Sequence, residues 1–374
     1  MTEFSFEENL KTASDEDVAK TISSDKLGFG NFFTDYMAHI HFEANPEVNS
    51  YLGVSSENGV WSGHEIIPFQ NITLSPAASV LHYGQEIFEG IKAFKRSDGS
   101  IWTFRFDENA KRFNKSAKRL GLPDLPEEDF LDSIRNLVQK DARWVPSGDG
   151  QALYIRPFMI ATEPFLGVRS AHQVDYYCIL SPSSSYFNTP KPVDIWVERE
   201  YFRAGPGGTG GVKCGGNYAA SLLPGQLAYE KGFSQVLYLD ARDQDSIEEL
   251  GGMSFFVVYK NGSVRTPALN GQILPSITRD SIITILHDEG IDIKQVKISI
   301  TKLAEDLKNG EVSEVFACGT GAAVSSIGRL ASTDFDVDFA GGVEGELVKF
   351  LRRAIVGIQL GDISDTRGWT FRLL

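Results

Sequence analysis

Residues 205–218 read Gly-Pro-Gly-Gly-Thr-Gly-Gly-Val-Lys-Cys-Gly-Gly-Asn-Tyr, and the architecture turns on whether this stretch is a linker or a cradle. Lys213 has glycines on both sides, so backbone can approach a group held there, and Tyr218 follows five residues later. A Gly-rich segment taken alone is as readily a flexible linker that carries one solvated lysine. The rest of the chain separates the two.

At 374 residues the chain is long enough for two domains, each with a sizeable apolar interior. With 25 Phe, 12 Tyr and 42% hydrophobic residues it reads as globular. The net charge of -14 argues against a nucleic-acid partner, because phosphate backbones are held by clustered Lys and Arg. No apolar run reaches the length of a membrane helix, and the first residues carry no basic region followed by an apolar core, so a cytoplasmic location is expected. Cys178, Cys214 and Cys318 have neither disulfide-framework nor metal-ligand spacing. His39 and His41 share one face of an expected strand; without a third ligand they read as packing or surface residues, and no metal site is expected.

The first 25 or so residues are polar and acidic and are expected to be loosely held. Strands are expected over 32–42 and 66–74, the latter with Pro68 at its edge. His82–Lys95, HYGQEIFEGIKAFK, starts with helical spacing and passes into a strand at Ile91, and Asp98-Gly99 marks a hairpin returning through IWTFR. Asp107 is placed to cap a helix through Leu120, where Ala110, Phe113 and Ala117 recur at helical spacing. Its other face carries Lys111, Arg112, Lys115, Lys118 and Arg119, a basic face from which one arginine can turn inward toward an anion. A second helix is expected over 127–144, then a strand with Arg156 between apolar neighbours, facing an edge or a polar cavity. Domain boundaries are set at 1–30 for an N-terminal extension, 31–183 for a smaller domain, 184–200 for an interdomain segment and 201–374 for a larger domain. Later elements include a helix over 219–231, a hairpin at Asn261-Gly262, a helix over 276–289, a strand at 296–300 and helices from Thr301 and Gly345. Strands and helices alternate without regular βαβ order, which predicts mixed α/β (α+β) and excludes a doubly wound sheet.

A lysine in a glycine cradle gains a chemical purpose if it meets a carbonyl, and pyridoxal phosphate is the carbonyl cofactor that proteins hold this way. That cofactor also needs a partner for its pyridine nitrogen and an anion site for its phosphate. IEELGGMSFF at 247–256 sets two carboxylates, Glu248 and Glu249, before a pair of glycines and a strand, and leaves the choice between them open. LPSITRDS at 274–281 puts Ser276, Ile277 and Thr278 at a helix N-terminus, whose free amides and dipole suit a phosphate. CGTG at 318–321 adds a tight turn with the Thr320 hydroxyl. Each feature is common alone; their company is not.

These motifs, VKCGGNYAASL, EELGGMSFF, LPSITR, FACGTG, HYGQEIFEGIKAFK and LYIRPFMIATEPFLGV, resemble those of branched-chain amino-acid aminotransferases, over most of the chain from about Asp35 onward. The resemblance implies the two-domain architecture of fold-type IV pyridoxal phosphate enzymes, with the cofactor between a smaller and a larger domain and a homodimer completing each site. It implies Lys213 as the Schiff-base lysine and later proton carrier, Tyr218 near the cofactor's ring hydroxyl, and Glu249, not Glu248, at the pyridine nitrogen. The phosphate would take Ile277, Thr278, Thr320 and the inward-turned Arg112. Phe29, Tyr83, Phe88, Tyr154 and Tyr186 match pocket-lining positions, with Gly252 and Gly321 among the substrate contacts; each aromatic taken alone reads as core. Arg156 is the implied cation for glutamate's distal carboxylate, and Leu166 and Val168 are the residues lent by the partner subunit. The implied activity is reversible, ping-pong amino transfer between L-leucine, L-isoleucine or L-valine and 2-oxoglutarate. Two motifs depart from those of some members: Ala322 and Ser325 replace a redox cysteine pair, and Gly252 with Ser254 stand where others have Thr and Asn.

A D-amino-acid aminotransferase or a lyase of the same fold would keep Lys213 and the carboxylate, but the YIRPF and FEGIKAFK segments argue against both. A nucleotide-binding loop is excluded because Cys214, not Ser or Thr, follows Lys213. A non-enzymatic acidic binding protein remains as the reading that a colourless, cofactor-free protein would favour.

Overall fold

The computed structural model describes every residue except 1, 9–10, 25–26, 49–50, 52 and 185–190. The chain divides into two units, one of residues 1–186, 213–215 and 358–374, the other of residues 187–212 and 216–357. In chain order the first unit contains β1 (Ser5–Phe6), α1 (Asp15–Ile22), β2 (Tyr36–Ala44), β3 (Gly59–Pro68), α2 (Ser79–Tyr83), β4 (Glu86–Phe88), β5 (Ile91–Lys95), β6 (Ile101–Phe104), α3 (Phe106–Arg119), α4 (Glu127–Lys140), β7 (Ala152–Ala161) and β8 (Gln173–Ser183). There follow β9 (Val193–Val197), α5 (Gly215–Ala219), α6 (Leu222–Glu230), β10 (Gln235–Leu239), β11 (Ile247–Leu250), β12 (Ser254–Tyr259), β13 (Val264–Pro267) and α7 (Ile277–Asp288). The chain closes with β14 (Ile293–Val296), α8 (Ile300–Lys308), β15 (Val312–Gly319), β16 (Ala323–Ala331), β17 (Asp336–Asp338), α9 (Glu346–Leu360) and β18 (Thr370–Arg372).

In the first unit the sheet runs β1-β3-β2-β8-β7-β5-β6-β18, with β4 also on β7. All pairs are antiparallel except β1 with β3. α3 and α4 supply Phe113 and Phe130, which pack on Tyr176 of β8, and the Tyr176 hydroxyl meets Ser133 Oγ at 2.8 Å. The second unit's sheet runs β11-β10-β9-β16-β15-β12-β13-β14 with β17 on β16. Its core gathers Ile195, Leu237, Phe255, Val257, Leu303, Val315 and Leu330. Both sheets mix parallel and antiparallel pairs, so the architecture is mixed α/β, as expected from the element pattern.

Several local expectations are corrected. The N-terminal stretch is anchored: the Thr2 amide donates to Asp132, Ala13 N–H to Asp35, and β1 pairs with β3. β3 lies at 59–68 in place of 66–74; its ladder with β2 closes at the Tyr36–Pro68 pair, after which the Phe69 amide makes one more bond, to the Asp35 carbonyl at 2.9 Å. The helix expected to start at His82 ends at Tyr83, where Gly84 turns left-handed at φ 55, and Ile87 is already in β4. α3 begins one residue before Asp107, with Arg105 in the left-handed cap position, so Asp107 sits in the first turn. The strand expected at 296–300 is β14 at 293–296. The helix expected over 219–231 is α6 at 222–230, and a separate short helix, α5, precedes it at 215–219. The C-terminal strand β18 pairs with β6, which brings residues 358–374 into the first unit.

Candidate active site

The glycine-rich stretch is held, not free. In the second unit Asn217, 3% exposed, accepts from the Thr209 hydroxyl at 2.7 Å and donates to the carbonyls of Thr209 and Val212, both at 2.8 Å. Side chains at Gly210 and Gly211 would collide with or press on the carbonyls of Gln272 and Gly271. Arg203 adds donation from one Nη to the carbonyls of Gly210 at 3.0 Å and Gln272 at 2.7 Å. Gly210 and Gly211 therefore serve close backbone packing.

Lys213 itself counts with the first unit. Its amide donates to Ser116 Oγ at 3.0 Å, and its carbonyl accepts from Phe88 N–H at 3.1 Å. The ammonium lies 4.9 Å from the centre of the Phe88 ring, and the guanidinium of Arg156 lies 4.7 Å from the same centre. Arg156 donates to the Tyr154 hydroxyl at 3.1 Å, while its buried Nε has no partner. Phe29, presented between Gly28 and Gly30 at φ 63 and 72, meets Tyr154 edge-on at 4.6 Å. Alternation explains the convergence: Glu86 and Phe88 share one face of β4, and Tyr154 and Arg156 share one face of β7. Phe29, Phe88, Tyr154, Arg156 and Lys213 thus form one cluster.

Arg112 is the basic-face arginine that turns inward. Its Nε and one Nη each donate to Glu89 at 2.7 Å. Glu89 is fully buried and also accepts from Asn109 at 2.7 Å. Burial by itself would push the Glu89 carboxyl up, but Arg112, Lys213 and Asn109 hold it below the ordinary glutamate range. Tyr83 is half-exposed and its hydroxyl donates to the Leu166 carbonyl; Leu166 and Val168 are exposed. Tyr186 lies outside the described residues.

In the second unit Glu249 is buried at the end of β11, ion-paired with Arg203 and accepting from Leu274 N–H at 2.8 Å. That bond holds the chain leading into α7. Ser276 caps α7 by accepting from Arg279 N–H at 3.2 Å, and Ile277 and Thr278 occupy its first turn, where amides have no helical acceptor. Gly319 ends β15 beside Gly252 and Met253, and Thr320 and Gly321 form the turn into β16. A side chain at Gly252 would reach the Tyr218 ring, 4.0 Å away. The Ser254 hydroxyl is buried without a partner.

The two adjacent carboxylates differ in surroundings. Glu248 has Asn270, donating at 3.3 Å, and one unpartnered oxygen; burial, with Asp240 and Glu249 nearby, pushes its carboxyl up to about 7. A raised carboxyl stabilises the fold fully below its unfolded value and loses that contribution as pH rises. Stability should therefore fall between about pH 4.5 and about pH 7, and Glu248→Gln should flatten that part of a denaturation-versus-pH curve.

Sequence reasoning missed Arg203, Asn217, Glu86 and Glu89. Asn217 and Glu89 stood within quoted motifs without a role, and Arg203 stands two residues before the glycine stretch. His39 and His41 do share a face, where both meet Asp175, at 2.7 and 2.9 Å. Among the described residues no helix is long and apolar enough to cross a membrane.

The family model described as amino-transferase class IV matches residues 86–330. The chain is 44% identical over 376 residues to the branched-chain-amino-acid aminotransferase of Mycolicibacterium smegmatis, covering 99% of this chain and 98% of that protein. The solved branched-chain amino acid aminotransferase of Escherichia coli aligns with a TM-score of 0.72 at 26% identity, over 83% of this chain and 97% of that one. The corresponding T.th. enzyme, complexed with N-(5'-phosphopyridoxyl)-L-glutamate, aligns with a TM-score of 0.69 at 25% identity, over 83% and 96% of the two chains. The chain belongs to the class IV aminotransferases, within the family of the branched-chain-amino-acid aminotransferases.

Proposed function

We propose that this protein transfers the amino group of L-leucine, L-isoleucine or L-valine to 2-oxoglutarate, reversibly and by a ping-pong cycle, with pyridoxal 5'-phosphate as cofactor and as a homodimer. The observation that carries the substrate reading is Arg156, a guanidinium with a buried, unpartnered Nε set among Phe88 and Tyr154. Aromatic walls suit a branched apolar side chain, and the open donor suits the distal carboxylate of glutamate. The residues present also fit the cofactor: a lysine fixed by its own backbone, a carboxylate with an arginine behind it, and first-turn amides at a capped helix.

When bound, pyridoxal phosphate supplies the electron sink for a carbanion at the substrate's Cα. Lys213 would anchor it covalently and, once released, use Nζ to take the proton from Cα. Glu249, held by Arg203, would face the pyridine nitrogen, and Tyr218 the ring hydroxyl. The amides of Ile277 and Thr278, with Thr320 and Arg112, would hold the phosphate. Phe29, Tyr83, Phe88, Tyr154 and Tyr186 would wall the substrate pocket, with Gly252 and Gly321 at its cofactor side. The exposure of Leu166 and Val168 supports their use by a second subunit. The domain reading follows the same pattern, a smaller N-terminal and a larger C-terminal domain joined near residues 184–200.

The test is the visible absorbance of the cofactor-loaded protein. It should fall on adding L-leucine and return with 2-oxoglutarate. A band that ignores L-leucine and responds to D-alanine would assign the D-amino-acid reaction, and failure to take up the cofactor would remove the reading.

A further inference from the structure

Arg156 in an apolar pocket carries an electrostatic cost. A guanidinium facing a leucine side chain is stripped of water, and a desolvated charge without a counter-charge is unfavourable. Tyr154 offers Arg156 only a neutral hydroxyl. Glu89, the carboxylate nearest in sequence to Phe88, is taken by Arg112 and Asn109.

Glu86 remains. It lies two residues before Phe88 on the same face of β4, and its Oε1 accepts from the Gly215 amide, two residues after Lys213. A side chain at Gly215 would meet that oxygen, the far end of the Glu86 side chain, so glycine leaves open the place the carboxylate occupies. Burial pushes the Glu86 carboxyl up, while the Gly215 amide and the charge of Arg156 pull it back.

We propose that Glu86 is a specificity-determining positioning residue: fixed by the Gly215 amide, its carboxylate acts through space as the counter-charge of Arg156, so that one pocket accepts both an apolar side chain and a distal carboxylate. The inference rests on the substrate reading above. With an apolar substrate bound, Arg156 keeps Glu86 as its compensating charge. With a diacid bound, the ligand's carboxylate takes over that role against the standing field of Glu86. Glu86 therefore favours the apolar ligand and weakens the diacid.

Glu86→Gln removes the charge and keeps an oxygen for the Gly215 amide. Calorimetric Kd values would be measured on the cofactor-loaded wild type and variant with two unreactive acids, glutaric and 4-methylvaleric. The variant should bind glutaric acid more tightly and 4-methylvaleric acid more weakly, shifting the ratio of the two by roughly tenfold. Glu86→Ala, which also loses the bond to Gly215, should lower kcat in the leucine half-reaction, and the glutamine variant should restore most of it. Both Kd values moving in the same direction, or an unchanged ratio, would overturn the proposal while leaving the aminotransferase reading intact. A wild type that exchanges amino groups with neither leucine nor 2-oxoglutarate would overturn both.

Discussion

Lys213→Ala is expected to keep its fold and lose its chemistry. The backbone bonds that position residue 213, its amide on Ser116 Oγ and its carbonyl on Phe88 N–H, do not involve the side chain and survive the substitution. The side chain is half-buried and lies over the Phe88 ring, so its loss should change unfolding free energy by about 1 kcal/mol or less. The rate has no such protection. A positioned proton carrier contributes roughly 10²–10⁴-fold, and the same nitrogen is the proposed anchor of the cofactor, so kcat should fall by at least about a thousandfold. Single-turnover kinetics with L-leucine, set beside thermal unfolding, measures both quantities. A variant that unfolds readily would show Lys213 to be structural; one that is stable and nearly as fast as wild type would move the proton transfer to another residue.

How far the sequence could be read depended on whether a residue's role was local. The Asn261-Gly262 hairpin and the capped helix from Ile277 are encoded within a few residues, and both are found where expected. The inward turn of one cation on α3 is legible, because the helix carries more cations than an acidic protein's surface requires. The choice of Arg112 over Lys111 or Lys115 depends on Glu89, 23 residues earlier, which no periodicity connects to it. The same limit hid Arg203. Its partners, Gly210, Glu249 and Gln272, come from separate segments, and an arginine before a Gly-Pro pair has no distinguishing local pattern. The N-terminal stretch escapes local reading for a related reason. A polar, acidic segment looks solvated until Asp35 and Asp132 are placed to receive its amides. The aromatics divide likewise: alternation puts Phe88 and Tyr154 on strand faces, but only the pairing of β4 and β5 with β7 sets those faces side by side.

Arg203 also carries the second large expected effect. Arg203 and Glu249 side chains are 3% and 5% exposed, so each compensates the other for leaving water. Arg203→Met fills much of the same volume but takes the guanidinium from Glu249, which keeps the Leu274 amide, and removes the donor from the carbonyls of Gly210 and Gln272. Breaking a buried pair from one side is expected to cost about 3–5 kcal/mol. Glu249→Gln should cost less, since an amide oxygen can still accept from Leu274 and from the guanidinium. If the pair acts as one unit, the double variant should be more stable than the sum of the single losses predicts, with a coupling of about 0.5–3 kcal/mol in a denaturant-unfolding cycle. Strict additivity would mean that Arg203 acts through the carbonyls alone. The cycle therefore separates two ways in which one arginine can stiffen a glycine-rich segment, by neutralising the carboxylate beside it or by binding its backbone. Coupling would tie the fixed geometry of that segment to the charge of Glu249, so that loosening either residue of the pair should also weaken cofactor retention, measured as its dissociation rate on dilution.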